Sequence, residues 1–229
     1  IGAVVLFVAI WMYPVSDGRT RLAGILLFSA IWLSLIALVW SHGILRFALL
    51  AFSVLCGVFL LLPGHSRHDT ALLRGDFVAG MRRYTGVSYY WGGESPKGID
   101  CSGLMQRGLI DGMFLRGILS GDPALVRYAI WLWWHRCNAA DLGSGRGATL
   151  RCFSTPSLNR LDHARILPGD LAVTVSGMHV MGYLGGNLWI EADPTLGRVI
   201  IERAPSQNNV WFTTPMNIVR WRILDPGPK

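Results

Sequence analysis

The sequence predicts an α+β fold preceded by two to three transmembrane α-helices. Three observations predict it: uncharged apolar runs dominate the first 63 residues, apolar residues then recur at helical spacing, and short strand-like runs follow residue 167. With 52% hydrophobic and 15% charged residues, the chain of 229 residues is too apolar for a soluble globule of its length. We therefore divide it into a transmembrane region, 1–64, and a second domain, 65–229, long enough to bury a core.

Three N-terminal runs have the composition of membrane spans. Residues 22–40 contain no charge and no proline over 19 positions, and at about 1.5 Å per residue such a helix approaches the hydrocarbon thickness of a bilayer. Residues 44–62 predict a second span in a tight hairpin with the first. The shorter opening run, 1–13, is interpreted as part of a third span, because it lacks the basic n-region and cleavage site of a signal peptide.

The charge of the chain argues against nucleic acid and favours a cytoplasmic second domain. Most of the 21 basic residues are arginines that occur singly rather than in runs, which predicts no nucleic-acid partner. Attraction to anionic lipid headgroups or to an acidic substrate explains the net charge of +7 better. Basic residues flank both ends of the hairpin, a pattern that places both ends in the cytoplasm. They are Arg19, Arg21, Arg67, Arg74, Arg82 and Arg83.

A Gly-rich turn followed by a single cysteine is the most distinctive stretch of the second domain. Residues 69–84 predict an amphipathic helix capped by Asp69 or Thr70. The run 89–104, YYWGGESPKGIDCSGL, then places Cys101 in the first turn of a helix that ends near residue 111 or 114. A thiol there meets unpaired N–H groups and the positive end of the helix dipole, which favours a nucleophilic thiolate. The alternative is an inert, buried cysteine.

Residues 113–166 give the least regular pattern. The segment 123–137 is apolar and rich in tryptophan, which is typical either of a core helix or of a helix lying against a membrane. Cys137 and Cys152 bracket a Gly-rich loop and could form a disulfide in an oxidising compartment. The sequence leaves both questions open.

Five short strands are predicted after residue 167, and short links make them antiparallel. They are 170–176, 179–186, 187–192, 197–203 and 218–223. His179 opens the second and Glu191 closes the third, so a hairpin between these strands brings both residues to one end of the sheet. A cysteine nucleophile needs such a base and a third group that orients it. Asp193 is an alternative orienting residue on the same face of its strand.

Three blocks of the sequence resemble one family. The run YTGVSYYWGGESPKGIDCSGLMQ and the later LPGDLAV and MHVMGYLGG are similar, in this order, to the signature of NlpC/P60 cysteine peptidases. The resemblance covers about residues 70–112 and 165–204. It implies a papain-like α+β catalytic domain, in which the cysteine helix packs on an antiparallel sheet that carries the histidine. Residues 113–166 would be an insertion in that domain.

The resemblance also implies a catalytic triad. Cys101 would be the nucleophile and His179 the general base. Glu191 would be the third polar residue, at a position where the family more often has histidine. The extra charge of a glutamate raises the pKa of the imidazole and favours a thiolate–imidazolium pair. No metal or other cofactor is required.

Three residues would contact the substrate if the resemblance holds. Tyr89 would stand beside the nucleophile and support the oxyanion site, although an aromatic packed under the turn is the alternative. Asp100 and Ser102 would receive the free amino end of a peptide. The implied reaction is hydrolysis of an amide bond in a peptidoglycan stem peptide or its lipid-linked precursor.

The expected setting is the bacterial inner membrane, with the substrate and membrane lipid as partners; the spans also allow contacts with other membrane proteins. The family mostly acts outside the cytoplasm, whereas the charge distribution favours the cytoplasmic side, so the side of the membrane stays open. Two other functions remain open as well. One is a lipid acyl hydrolase or acyltransferase that uses the same Cys–His pair, and the other is a non-catalytic membrane assembly or binding component.

Overall fold

A computed structural model describes residues 2–64 and 68–227 of the chain. The predicted start of the second domain at residue 65, and Arg67 among the flanking basic residues, lie outside the described residues.

Three N-terminal helices coincide with the predicted spans. They are α1 (Gly2–Met12), α2 (Gly18–Leu38) and α3 (Gly43–Leu61). Asp17 starts α2 with a capping box, in which its carboxylate accepts a hydrogen bond from the Thr20 N–H over 2.8 Å. In the described part of the chain, α2 and α3 are long and apolar enough to cross a membrane. Their surfaces are almost entirely exposed: α2 buries Arg21 and Ile36, and α3 buries no residue.

The second domain combines helices with one large antiparallel sheet, which confirms the predicted α+β class. Its helices are α4 (Thr70–Arg82), α5 (Cys101–Ser120), α6 (Pro123–Trp134) and α7 (Ala139–Gly143). Its strands are β1 (Glu94–Ser95), β2 (Gly98–Ile99), β3 (Thr149–Thr155), β4 (Leu171–Thr174), β5 (Val180–Gly185), β6 (Leu188–Asp193), β7 (Arg198–Arg203) and β8 (Met216–Trp221). The sheet has the order β3-β8-β4-β5-β6-β7, and β1 pairs with β2 as a separate hairpin.

The helix that begins at Cys101 is longer than predicted. It continues to Ser120 because Met113 is fully buried in the core and Gly121, with φ of 63°, supplies a left-handed C-cap. The helix packs closely against α4. A Cβ on Gly80 would lie 2.5 Å from the carbonyl oxygen of Gly108, so the absence of a side chain permits this approach.

All five predicted strands are present, but the sequence pattern missed β3. This strand lies within the segment 113–166 and pairs with β8 at the edge of the sheet opposite to β7. A register shift between Arg151 and Phe153 breaks the alternation by which a strand is recognised. The predicted end of β6 was also too early, since the strand continues through Asp193.

Both faces of the sheet are buried, in line with the alternation of side chains along each strand. Leu171 and Val173 pack in one apolar cluster with α4 and α5, whereas Ala172 packs in a second cluster with Phe212. The second cluster includes residues of the segment 209–213, so this segment covers the face opposite the helices.

The segment 113–166 is built into the domain. Helix α6 buries Leu125, Ala129 and Leu132 in the helical core, which confirms a core helix. Gln106 of α5 holds its C-terminal end, because the amide nitrogen donates to the carbonyl oxygens of Leu132 at 2.5 Å and His135 at 2.7 Å. The other side of α6 remains exposed and carries two of its three tryptophans, Trp131 and Trp134.

The disulfide considered for this segment is not formed. All four cysteines are free thiols. Cys137 packs against the helical core, whereas Cys152 is exposed on the edge strand β3.

Contacts at two places in the described part of the chain join the N-terminal helices to the second domain. The linker between α1 and α2 pairs with the loop before the cysteine helix through an antiparallel bridge from Val15 to Gly93. The guanidinium of Arg127 donates to the carbonyl oxygens of Leu60 and Leu62, at 2.7 and 2.8 Å. A cation placed there satisfies carbonyls at the end of α3, where the helix dipole is negative.

A buried ion pair strengthens the first contact. Nη2 of Arg21 lies 2.5 Å from Oε2 of Glu94, and these side chains are 1% and 10% exposed. Nε of Arg136 lies 2.6 Å from the other carboxylate oxygen of Glu94. Glu94 belongs to the β1–β2 hairpin, so α2 is fixed to the turn that precedes the nucleophile.

Candidate active site

Cys101 is the first residue of α5, as the motif predicts, and its side chain is buried. Asp100 is the N-cap: Oδ1 accepts hydrogen bonds from the N–H of Gly103 at 2.6 Å and the hydroxyl of Ser102 at 2.9 Å. Oδ2 accepts from the N–H of Gly92 at 2.9 Å. One carboxylate thus joins the Gly-rich turn to the helix start and holds the thiol between them.

Gly103, two residues after Cys101, is required by the packing of the turn. A Cβ on Gly103 would lie 2.2 Å from the carbonyl oxygen of Gly93. No larger residue fits without moving the turn, which explains in physical terms why WGG and CSG occur together in this chain. Asp100 and Ser102, predicted to bind a peptide amine, are engaged in this capping network, and their role toward substrate stays a prediction.

His179 and Glu191 lie together across the β5–β6 hairpin, as the strand pattern predicts. His179 precedes β5 and is 2% exposed, and Glu191 in β6 is fully buried. Nε2 of His179 lies 2.5 Å from Oε2 of Glu191. Because Nε2 is engaged, Nδ1 is the ring nitrogen available to the thiol.

The surroundings of His179 favour its protonated form. Burial lowers its pKa, but hydrogen bonding and Coulombic attraction from Cys101 and Glu191 outweigh burial and raise the pKa from 6.5 to about 9. The imidazolium is therefore the prevailing form at neutral pH. Since Cys101 contributes to this shift, the structure brings all three predicted triad residues to one site.

Tyr89 also lies at this site. It is half-buried, and its backbone N–H donates to the carbonyl oxygen of Gly197 at 2.8 Å. Burial, followed by the negative charges of Cys101 and Asp100, raises the pKa of its phenol to about 12. Tyr89 thus keeps its hydroxyl proton at neutral pH and can donate a hydrogen bond near the thiol.

Two residues that sequence reasoning missed complete the surroundings of the histidine. Nδ2 of Asn209 donates to Oε1 of Glu191 at 2.5 Å, and the ring of Trp211 stacks on His179 with centroids 4.3 Å apart and planes 15° apart. Both belong to a segment with a short 3-10 helix at Val210–Thr213, which Asn209 caps. The available signal was an Asn-x-Trp triplet between two predicted strands.

The other acidic residues of the sequence blocks have structural roles. Asp193, the alternative orienting residue, accepts hydrogen bonds from the N–H groups of Thr195 and Leu196, at 2.6 and 3.2 Å, and so closes a turn. Asp170 of the LPGDLAV block is fully buried and pairs with Arg220 at 2.7 Å and Arg74 at 3.3 Å. Within residues 2–64 and 68–227, no group of three His, Cys, Asp or Glu side chains is arranged to hold a metal ion.

No family model and no curated protein matches the chain. Several solved structures are similar to the chain, and NlpC/P60 proteins are among them. One is the P60 domain of an antigen from M. avium subspecies paratuberculosis, with 20% identity over 68% of this chain and 98% of that chain and a TM-score of 0.43. Another is an NlpC/P60 family protein from Bacillus cereus, with 17% identity over 66% of this chain and 40% of that chain and a TM-score of 0.42. The peptidoglycan hydrolase RipB from Mycobacterium tuberculosis is 20% identical over 70% of this chain and 69% of that chain, with a TM-score of 0.44.

The arrangement has the groups that covalent catalysis by a thiol needs. A cysteine thiol at a helix N-terminus lies beside an imidazole, and a carboxylate contacts that imidazole at its other ring nitrogen. The backbone N–H groups at the start of α5 and the Tyr89 hydroxyl are donors beside the thiol. This is also the set of groups that the resemblance to NlpC/P60 peptidases assigned from sequence.

Proposed function

We propose that the chain is a membrane-anchored cysteine hydrolase that cleaves an amide bond in a peptidoglycan stem peptide or its lipid-linked precursor. The observation that carries the proposal is the contact of His179 with Glu191 at 2.5 Å together with the effect of Cys101 on the same imidazole. The substrate class follows from the resemblance of the three sequence blocks to NlpC/P60 peptidases.

The reaction proceeds through a thioester. The Cys101 thiolate attacks the carbonyl carbon, and the N–H groups at the start of α5 with the Tyr89 hydroxyl stabilise the oxyanion. The C–N bond breaks as the His179 imidazolium gives its proton to the leaving amine. His179, now neutral, takes a proton from a water molecule that attacks the thioester and releases the acid and the thiolate. Glu191 holds the imidazole in place throughout.

Asp100 and Ser102 would bind the free amino end of the peptide. A carboxylate that already accepts three hydrogen bonds can still attract an ammonium group, because all its present donors are neutral. This role makes a substrate with a free amine a better ligand than its acetylated form.

Membrane anchoring is supported by the exposure of the N-terminal helices. The apolar surfaces of α2 and α3 are not covered by the rest of the chain, so they need an apolar surrounding such as a bilayer. Because Arg21 and Glu94 join α2 to the turn before Cys101, the site would lie close to the membrane surface. Protease protection of the C-terminal end in intact cells would tell which side of the bacterial inner membrane it faces.

The test is hydrolysis of defined substrates by the full chain in detergent. Muropeptides and lipid-linked precursor are incubated with wild type, with Cys101→Ala and with Cys152→Ala, and new amines are identified by mass spectrometry. Cys152 is an exposed free thiol on β3, so its removal controls for the loss of a thiol. We expect cleavage by wild type and Cys152→Ala, and none by Cys101→Ala.

A parallel incubation with labelled phospholipid tests the acyl hydrolase alternative. Release of fatty acid that depends on Cys101, without amide cleavage, would replace the proposed function. Absence of both reactions, in a protein whose Cys101 also fails to react with a thiol-directed probe, would favour a non-catalytic role.

A further inference from the structure

A cavity of about 550 Å³ lies between the N-terminal helices and the second domain. Its walls come from α1, α2, the linker between them and the β1–β2 hairpin, with Arg107 of α5 and Trp133 of α6. This volume is within the range of about 300–1,000 Å³ typical of small-molecule sites. The triad is separate from it, since the cavity is formed by the membrane-side helices and the hairpin.

The walls of the cavity are of two chemical kinds. Toward the helices they are apolar, with Phe7, Ile10, Ile25 and Phe28. About 10 Å further along α2, from Phe28 back to Arg21 at 1.5 Å per residue, the walls become charged. A ligand that fills the cavity therefore needs an apolar end and a polar end.

The charged end has a surplus of positive charge. Arg21 and Arg136 share the single carboxylate of Glu94. Arg107 is paired with Asp111 at 3.0 Å, and Lys97 adds one further cation to the wall. Among the residues that line the cavity, the three cations Arg21, Lys97 and Arg107 outnumber the single carboxylate of Glu94. This surplus complements an anionic group such as a phosphate diester.

Aromatic residues surround the transition between the two ends. Trp11, Tyr13 and Trp133 lie in the wall. Tryptophan and tyrosine are enriched where a membrane protein passes from hydrocarbon to headgroups. Their position indicates that the apolar end of the cavity is at the depth of lipid chains and the charged end at the depth of headgroups.

We propose that this cavity binds one anionic phospholipid, with an acyl chain between α1 and α2 and the phosphate beside Lys97. The inference rests on the membrane attachment proposed above. The lipid would support the β1–β2 hairpin, which carries Glu94 and precedes the nucleophile.

Gly24 provides a direct way to close the cavity. It lies in the wall, and a Cβ added there meets no atom within 4 Å, so a Leu side chain at this position extends into open space. Gly57 of α3 has the same open surroundings and is not part of the wall. Gly57→Leu is therefore a matched control for added apolar volume on a span.

The experiment counts retained lipids by native mass spectrometry of the full chain in detergent, supplied with phosphatidylglycerol or phosphatidylcholine. All variants carry Cys101→Ala, so the count is independent of hydrolysis and survives a failure of the proposed activity. We expect one phosphatidylglycerol per chain, about tenfold less in Gly24→Leu and an unchanged count in Gly57→Leu. Lys97→Ala should weaken the preference for phosphatidylglycerol about fivefold.

Equal lipid retention by Gly24→Leu and Gly57→Leu would show that the lipid does not occupy this cavity. Equal retention of phosphatidylglycerol and phosphatidylcholine would overturn the proposed preference for an anionic headgroup. A second measurement uses no variant in the cavity. Phosphatidylglycerol with a photoactivatable acyl chain should label α1 and the first turns of α2; labelling confined to α3 would contradict the proposal. A peptide from another protein found there would instead indicate a protein occupant and reject the lipid.

Discussion

The side-chain amide of Asn209 donates a hydrogen bond to Oε1 of Glu191 over 2.5 Å. The same nitrogen donates to Oε2 of Glu202 at 2.8 Å, and Oδ1 of Asn209 accepts from the N–H of Trp211 at 3.0 Å. The amide is thus held from three sides and separates two carboxylates. Through this contact Asn209 keeps the other oxygen of Glu191 directed at His179, which makes it a positioning residue.

Replacement of Asn209 by alanine should lower kcat about tenfold and leave KM nearly unchanged, because the amide is buried and acts on the imidazole through Glu191. The measurement is steady-state hydrolysis of a muropeptide. Asn159→Ala is the matched control. Asn159 bonds Ser206 of the same loop at 2.6 and 2.8 Å without touching Glu191, so kcat should stay close to wild type. Equal losses in both variants would assign Asn209 to loop stability alone.

Glu191→Gln should move the pH dependence of the reaction. In wild type the pKa of His179 is raised to about 9, so the imidazolium is lost, and kcat/KM falls, as the pH rises through about 9. Removal of the carboxylate charge lowers that pKa and shifts the alkaline limb to lower pH. At pH 8 we expect a loss of about 10²-fold.

The pH profile of kcat/KM between pH 5 and 10 tests this expectation. Glu202→Gln is the control, because Glu202 contacts Asn209 and not the imidazole. An unshifted alkaline limb in Glu191→Gln would show that the limb reports another group.

Trp211→Ala should expose the ion pair at the site to water. The indole covers one face of His179 at a centroid distance of 4.3 Å, and an aromatic ring so placed attracts the imidazolium. Loss of the ring should slow alkylation of Cys101 by iodoacetamide at pH 6, because the imidazolium beside the thiol loses the attraction of the indole. Trp211→Phe keeps an aromatic ring, and its Cys101 should be alkylated nearly as fast as in wild type. Equally slow alkylation in both variants would exclude a specific role of the ring stacked on His179.

The proximity of Cys101, His179 and Glu191 could be predicted because the position of each depends on local sequence. A short hairpin turn fixes the relation between His179 and Glu191, and the helix cap Asp100 fixes Cys101. Asn209 and Trp211 come from an irregular segment whose position depends on packing against the sheet. No periodicity in the sequence reports such packing.

The environment of Arg21 also depends on tertiary packing and could not be predicted from the sequence. From the sequence it counts as a flanking charge that sets membrane orientation, whereas in the structure it is buried and pairs with Glu94, 73 positions away. Its charge is therefore explained by a contact within the chain. The positive-inside argument loses two of its six residues in this way, because Arg74 is also buried and pairs with Asp170. A third residue, Arg67, lies outside the described residues.

Glu94→Gln should destabilise the contact between α2 and the site more than any single change of its partners. It leaves the 1% exposed side chain of Arg21 without a counter-charge, and breaking a buried ion pair in this way costs about 3–5 kcal/mol. Arg21→Met should cost less, because Arg136 still neutralises Glu94 at 2.6 Å.

The free energy of unfolding of the second domain in detergent, measured with denaturant, gives these values. Asp76→Asn, which breaks the partly exposed pair with Arg116 at 2.7 Å, is the control and should cost much less, because water screens this pair. Glu94→Gln should also lower kcat/KM, because Glu94 holds the turn before Cys101 against α2. Should it prove no more destabilising than Asp76→Asn and leave kcat/KM unchanged, the anchoring of this hairpin by α2 is wrong.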